Sequence, residues 1–184
     1  MERKVKREIY RYVRTPFYFI VIGVFCLGLS VYMWYSIADV VTGAAWLVTF
    51  GGCGLWWIIS TVVKRIALRR RIAQLAESAD GRILENDFKR AGRAFKGTLI
   101  LGDKFIIPKG SGNIVAYDEF DKLHRVTESI NGVTTYHTVF VRRRSNGRKL
   151  TLCKIEHKIY DASEMGGVLE YIISKNPELK FGEI

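Results

Sequence analysis

Forty-eight consecutive residues, Pro16–Val63, contain a single charged side chain, Asp39. A helix rises about 1.5 Å per residue, so one rod of this length would reach roughly 70 Å, about twice the ~30 Å hydrocarbon core of a bilayer. Asp39 lies near the middle, with Thr42 and Gly43 just after it. A turn over residues 39–42 would divide the run into two helices, 16–38 and 43–63, each long enough to cross with some tilt. Thr15 before Pro16 has the pattern of an N-cap with proline at the first helical position. Phe17, Tyr18 and Phe19, then Tyr32, Trp34 and Tyr35, suit interfacial belts at the two ends of the first helix. That helix is too long for the apolar core of a cleaved signal peptide, and a second apolar helix follows it directly.

Before and after this run the pattern changes. Residues 1–15 read as a basic amphipathic helix at the membrane interface, with Val5, Ile9, Tyr12 and Val13 on one face and Arg3, Lys4, Arg7, Arg11 and Arg14 over much of the rest. Residues 64–95 read as a helical connector. One helix runs to Ala79, and a second, Ile83–Phe95, carries Leu84, Phe88 and Ala91 at helical spacing. From Lys96 the period becomes two. Apolar runs Thr98–Leu101 and Lys104–Pro108 flank Gly102-Asp103, and Asn131-Gly132 and Asn146-Gly147 are type I′ hairpin signals. The spacing predicts about six strands in an antiparallel meander, closed by a helix with Met165, Val168, Leu169 and Ile172 on one stripe. Asp161 with Glu164 resembles a capping box, and Asn176-Pro177 stops the helix. Gly166-Gly167 is out of place there unless the helix packs closely or starts late. The fold class is therefore a transmembrane α-hairpin joined to a small α+β domain over residues 96–176, with 177–184 as a tail.

Charge orients this arrangement. The net charge is +11, and its excess flanks the apolar run instead of spreading over the β domain. Arg11 and Arg14 lie on one side; Lys64, Arg65, Arg69, Arg70 and Arg71 lie on the other. Lys and Arg beside spans mark the cytoplasmic side, so both chain ends are expected there. A nucleic-acid binder would concentrate charge on its folded domain, and nucleic acid is not expected as a partner. Apart from Asp39 the apolar helices carry no ionisable group, which argues against transport by the hairpin alone. Gly23, Gly28, Gly51, Gly52 and Gly54 form small-residue patches through which two antiparallel helices could approach.

The strand pattern with one closing helix resembles the pleckstrin-homology-like barrel. The segments Leu101–Ile107 (LGDKFII) and Val115–Leu123 (VAYDEFDKL) are similar to bacterial membrane proteins in which two spans precede a cytoplasmic domain of this kind. The resemblance implies a binding or scaffolding module, with no catalysis and no specific ligand. It departs from the full fold in strand count, about six against seven, unless a first strand is hidden within 83–95.

Candidate chemistry is sparse. Arg142, Arg143 and Arg144, with Arg148 and Lys149 across the Asn146-Gly147 turn, could bind phosphate or anionic head groups, since arginine suits bidentate phosphate contacts. They could equally be a solvated tip that discourages edge pairing. Cys26, Cys53 and Cys153 form no disulfide framework, and Cys153 with His157 falls short of a metal set. His124, His137 and His157 lie in different elements, and Ser111 lacks nucleophile-elbow spacing. No cofactor is expected. The expected protein is a non-catalytic membrane-anchored module that recognises a protein partner or an anionic lipid surface. Alternatives are an accessory subunit of a larger membrane complex and, further off, a tethered enzyme.

Overall fold

The computed structural model describes residues 1–37 and 39–182; Ala38, the last residue of the expected first span, lies outside the described residues. The chain forms two compact units, one of residues Thr15–Ala67 and one that combines Met1–Arg14 with the chain from Leu68 onward.

The first unit is an apolar helical hairpin. Helix α2 (Tyr18–Ser36) is followed by α3 (Val40–Trp46), a π-helical turn Leu47–Gly51, and α4 (Gly52–Glu77), which leaves this unit after Ala67. Tyr18–Ser36 and the run Val40–Glu77 are each long and apolar enough to cross a membrane. Asp39 caps α3, its carboxylate accepting from Thr42 N at 2.8 Å, so residues 40–42 of the expected turn are helical. The second helix therefore starts at Val40, not 43. Thr15 does not cap the first helix: Phe17 holds that position, and Thr15 Oγ1 is buried without a partner. The glycine patches do meet. A Cβ on Gly23 would come within 2.8 Å of Gly54 O, and one on Gly54 within 2.7 Å of Gly23 O. Gly51 sits over Ser30, whose hydroxyl donates to Leu27 O at 2.8 Å. Gly28 and Gly52 have nothing within 4 Å and play no part in that contact.

The second unit is α+β. Its helices are α1 (Arg3–Val13), the end of α4 from Leu68, α5 (Asp80–Arg90) and α6 (Ala162–Lys175). Its strands form two four-stranded sheets. The first has the order β1 (Gly92–Ala94), β2 (Leu99–Leu101), β3 (Phe105–Pro108) and β4 (Val115–Ala116), all antiparallel. The second runs β7-β6-β5-β8, from β5 (Phe120–Ile130), β6 (Val133–Arg143), β7 (Lys149–Glu156) and a short β8 (Lys180–Phe181) parallel to β5. The described residues thus hold eight strands rather than about six. One is β1, inside the segment expected to be helical; α5 stops at Arg90 because Gly92 opens a strand.

The first sheet is buried on both faces, which explains its uninterrupted apolar runs. Leu99 and Ile106 face one core with Phe120, Leu123, Val139, Val141, Leu152 and the α6 stripe Met165, Val168 and Ile172. Ile100, Phe105 and Ile107 face a second core with Leu68, Ile72, Leu84 and Phe88. Val5, Ile9 and Val13 of α1 complete that second core, at 2, 0 and 0% exposure. Helix α1 is therefore a packed element of the α+β unit and not an interfacial helix with a free apolar face. Burying three such side chains contributes about 5–9 kcal/mol before entropy.

The turns also refine the expectations. Asn131-Gly132 is a type I′ turn with both residues at positive φ, joining Ile130 to Val133. At Asn146-Gly147 only the glycine has positive φ; the Asn146 side chain instead accepts from Arg148 N at 3.0 Å in an Asx turn, and the loop is longer. Asp161 caps α6 by accepting from Ser163 N and Glu164 N. Glu164 does not reach back to complete a capping box. It accepts from Phe95 N at 2.6 Å, supporting a non-glycine residue at φ 51° whose ring is wholly buried. Helix α6 runs through Gly166 and Gly167 with nothing within 4 Å of either would-be Cβ, so neither close packing nor a late start accounts for them.

Candidate functional site

The arginine-rich hairpin joining β6 to β7 is largely neutralised. Arg142 forms a bidentate pair with Asp121, one of its bonds measuring 3.0 Å from Nε to Oδ1. Arg143 lies 3.8 Å from Glu119, which also pairs with Arg71 of α4. Arg144 reaches Glu178 at 3.3 Å. Lys149 places its ammonium 4.0 Å from the centroid of the Phe140 ring, and Arg148 is exposed. Alternation along β6 sends successive arginines to different acidic partners instead of gathering them for one phosphate. The pairing holds Asp121's carboxyl below its usual range, chiefly through the bond from Arg142.

The other basic cluster is different. On α1 and its C-cap, Arg3, Lys4, Arg7, Arg11 and Arg14 are all exposed, and among the described residues none forms an ion pair. At about 100° per residue these five fall within an arc of about 100°, opposite Val5, Ile9 and Val13. Arg69 of α4 joins them through Tyr10, its guanidinium 5.0 Å from the ring centroid. Arg70 and Lys64 are exposed. Arg71 is spent on Glu119, and Arg65 donates to Thr15 O at 2.8 Å and covers the Phe17 ring. The fold thus gives Arg142, Arg143 and Arg144 of the sheet acidic partners, while of the expected basic residues of the helices only Arg71 has one among the described residues.

A third constellation escapes sequence reasoning. His137 Nε2 and His157 Nδ1 are 3.0 Å apart, and the His137 ring stacks on Tyr160 with centroids 3.7 Å apart. Thr127 Oγ1 lies 3.3 Å from His137 Nδ1, and Arg125 reaches the Tyr160 hydroxyl at 3.4 Å. The two histidines are twenty positions apart, and only the β6–β7 register, Tyr136 opposite Glu156, brings them together. An imidazole pair at this distance shares one proton, because one nitrogen must donate and the other accept. Burial, then the charges of His157 and Arg125, keep His137 below the usual histidine value. Among the described residues no group of three or more His, Cys, Asp or Glu could hold a metal. His124 takes no part in this cluster, and the buried Cys153 thiol is pushed up to about 12 by desolvation.

An open groove of about 700 Å³ is lined by residues of α5, the start of β1, the end of β2 and α6, among them Asn86, Arg90, Leu101, Gly167, Val168 and Tyr171. Its acidic residues are already engaged. Asp87 accepts from Asp103 N, Lys104 N and Phe105 N. Asp103 pairs with Lys175 at 2.9 Å, and Glu164 holds Phe95 N.

Comparison with protein-family models, with curated proteins and with solved structures gave no match.

Proposed function

We propose that this chain is a two-pass membrane protein with both ends on the cytoplasmic side, presenting a pleckstrin-homology-like module that binds and does not catalyse. The observation that carries the reading is the division into an apolar helical hairpin and a separate α+β unit. In that unit seven strands run as meanders of four and then three, followed by helix α6. The resemblance expects seven strands and a closing helix, and a count of seven that includes β1 supports it. Its titratable groups support a binding role, because those drawn together are spent on one another or on backbone N–H groups. The unpaired charge lies on helices next in sequence to the apolar segments, which favours an anionic surface as partner.

Topology tests the reading. With Cys26, Cys53 and Cys153 replaced by serine or alanine, single cysteines at Asp39→Cys and Ser145→Cys are probed in intact cells with a membrane-impermeant maleimide. Position 39 should label from outside, and position 145 only after lysis. Labelling of position 145 in intact cells would overturn the orientation.

A second reading, an accessory subunit of a larger membrane complex, is favoured by Gly28 and Gly52, which lie outside the contact within the hairpin. A single partner-free species on purification in mild detergent would reject it.

A further inference from the structure

We infer that the basic face of α1 docks on the anionic lipid head groups of the bilayer that holds the chain, by charge alone and without inserting into the hydrocarbon. The inference rests on the membrane-anchored reading above and names the partner of that module.

An amphipathic helix rich in arginine and lysine ordinarily binds a membrane by burying its apolar face at the head-group boundary while its basic face meets the phosphates. Here that route is closed. Val5, Ile9 and Val13 are already buried against Leu68, Ile72, Leu84 and Phe88. Backbone bonds fix the helix end as well, with Gly110 N donating to Tyr12 O at 3.0 Å and Gly112 N to Val13 O at 2.8 Å. The Tyr12 hydroxyl, its pKa pushed up to about 12 by burial, donates to Gly97 O at 2.7 Å. What remains outward is the arc of Arg3, Lys4, Arg7, Arg11 and Arg14, extended by Arg69, with Glu2 and Glu8 exposed beside it.

Charge complementarity selects the occupant. Six basic side chains against the two carboxylates of Glu2 and Glu8 leave a net positive face that the folded unit holds together, so a multivalent anion field relieves its repulsion. The sheet arginines cannot compete for that role, since Arg142, Arg143 and Arg144 each have an acidic partner. Only Thr15, Pro16 and Phe17 separate Arg14 from α2 in the chain, which favours a bilayer surface over a soluble anion. Because no apolar face enters the lipid, binding should fall with salt over the range where the screening length shortens.

The test uses the full chain in nanodiscs of phosphatidylcholine alone, and of phosphatidylcholine with 30% phosphatidylglycerol, reading amide hydrogen exchange of Arg3–Val13. Exchange should be several-fold slower in the anionic discs at low salt, and the difference should vanish at high salt. A variant with Arg3, Lys4, Arg7, Arg11 and Arg14 changed to glutamine should lose the difference, while one changing the four arginines among them to lysine should keep it. Equal exchange of the wild type in both discs overturns the inference, as does a difference that persists at high salt or in the glutamine variant. Peptides from Leu99–Pro108 serve as the folding control. Failure of the chain to enter discs at all would instead overturn the anchored reading, so the two failures are separable.

Discussion

The Asp87 carboxylate fills the space that a side chain on Gly102 would need: a Cβ there would overlap the Asp87 carboxyl group. The glycine is bare because the carboxylate of α5 is pressed into the β2–β3 turn, where it accepts from three successive N–H groups, Asp103, Lys104 and Phe105, at 2.9–3.1 Å. From another direction Tyr117 and Tyr171 both donate their hydroxyls to Gly102 O at 3.1 Å. One turn thereby ties α5, β4's following turn and α6 to the first sheet. Burial, then the neighbouring Tyr171, Asp87 and Asp103, raise the Tyr117 phenol far above its usual range.

The two residues should behave as one unit under mutation. Asp87→Ala leaves three N–H groups of the turn without their acceptor and should cost about 3 kcal/mol or more. Gly102→Ala should cost a similar amount by expelling the carboxylate, with no contact of its own to lose. Because either change breaks the same contact, the double variant should be less destabilised than the two single losses added together. Thermal unfolding of the full chain in detergent, followed by the near-ultraviolet signal, gives all four corners of the cycle.

The histidine pair predicts a pH dependence. His137 has its folded pKa below the usual 6.5, so between the two values the unfolded chain binds a proton that the folded chain refuses. Stability from this site is therefore fully present above about pH 6.5 and is lost as pH falls through that value toward the folded pKa. His137→Gln should flatten the fall in unfolding temperature between pH 7 and pH 5. An unchanged slope would show that the pair is not its source.

Much of this fold is legible in the residues, and what is not legible has physical causes. Apolar alternation, Asn131-Gly132 and the α6 stripe give the second sheet and its helix because local periodicity and turn chemistry determine them. Strand β1 is hidden because Leu84, Phe88 and Ala91 continue a helical spacing up to the glycine that breaks it. The packing of α1 is hidden for a deeper reason: an apolar stripe does not say whether lipid or protein will cover it. The candidate residues divide the same way. The basic positions are plain in the chain, but Asp121, Glu119 and Glu178 neutralise some of them across distances that no local pattern encodes, and the His137–His157 pair needs the β6–β7 register.

Gly166 and Gly167 give a prediction in the stabilising direction. Each lies in mid-helix with room for a methyl group, and glycine there costs up to about 1 kcal/mol relative to alanine. Gly166→Ala and Gly167→Ala should each raise stability by about 0.5–1 kcal/mol in chemical unfolding. Gly167→Ala also narrows the groove beside Leu101 and Tyr171, so any loss of a co-purifying partner from that variant alone would assign the groove a binding role.

The hairpin arginines should be dispensable for lipid preference. With Arg142, Arg143 and Arg144 all changed to glutamine, Asp121 and Glu178 are released and Glu119 keeps Arg71, while Arg3, Lys4, Arg7, Arg11 and Arg14 are untouched. The exchange difference of α1 between neutral and anionic nanodiscs should therefore stay within error of the wild type, although the variant should unfold somewhat earlier through loss of the Arg142–Asp121 pair. Loss of the difference in this variant would move the anionic site from the helix to the sheet.

The contact within the hairpin rests on two glycines that touch through backbone. Gly23 and Gly54 each leave 2.7–2.8 Å between a would-be Cβ and the other's carbonyl oxygen, closer than side-chain carbons pack, so even a methyl group must push the helices apart. Without a hydrophobic drive between helices in lipid, their association depends on such close approach. Gly54→Ala should cost about 1–3 kcal/mol, and Gly54→Leu should separate the helices outright. Gly52→Ala, with open space around it, is the matched control and should be neutral. Disulfide trapping between cysteines placed at Ser30 and Gly51, whose Cβ atoms would lie 3.8 Å apart, after replacement of the native cysteines, would read the spacing directly in nanodiscs. Its yield should fall sharply in Gly54→Leu and stay unchanged in Gly52→Ala, and equal yields in both would mean that the glycine contact does not hold the hairpin together.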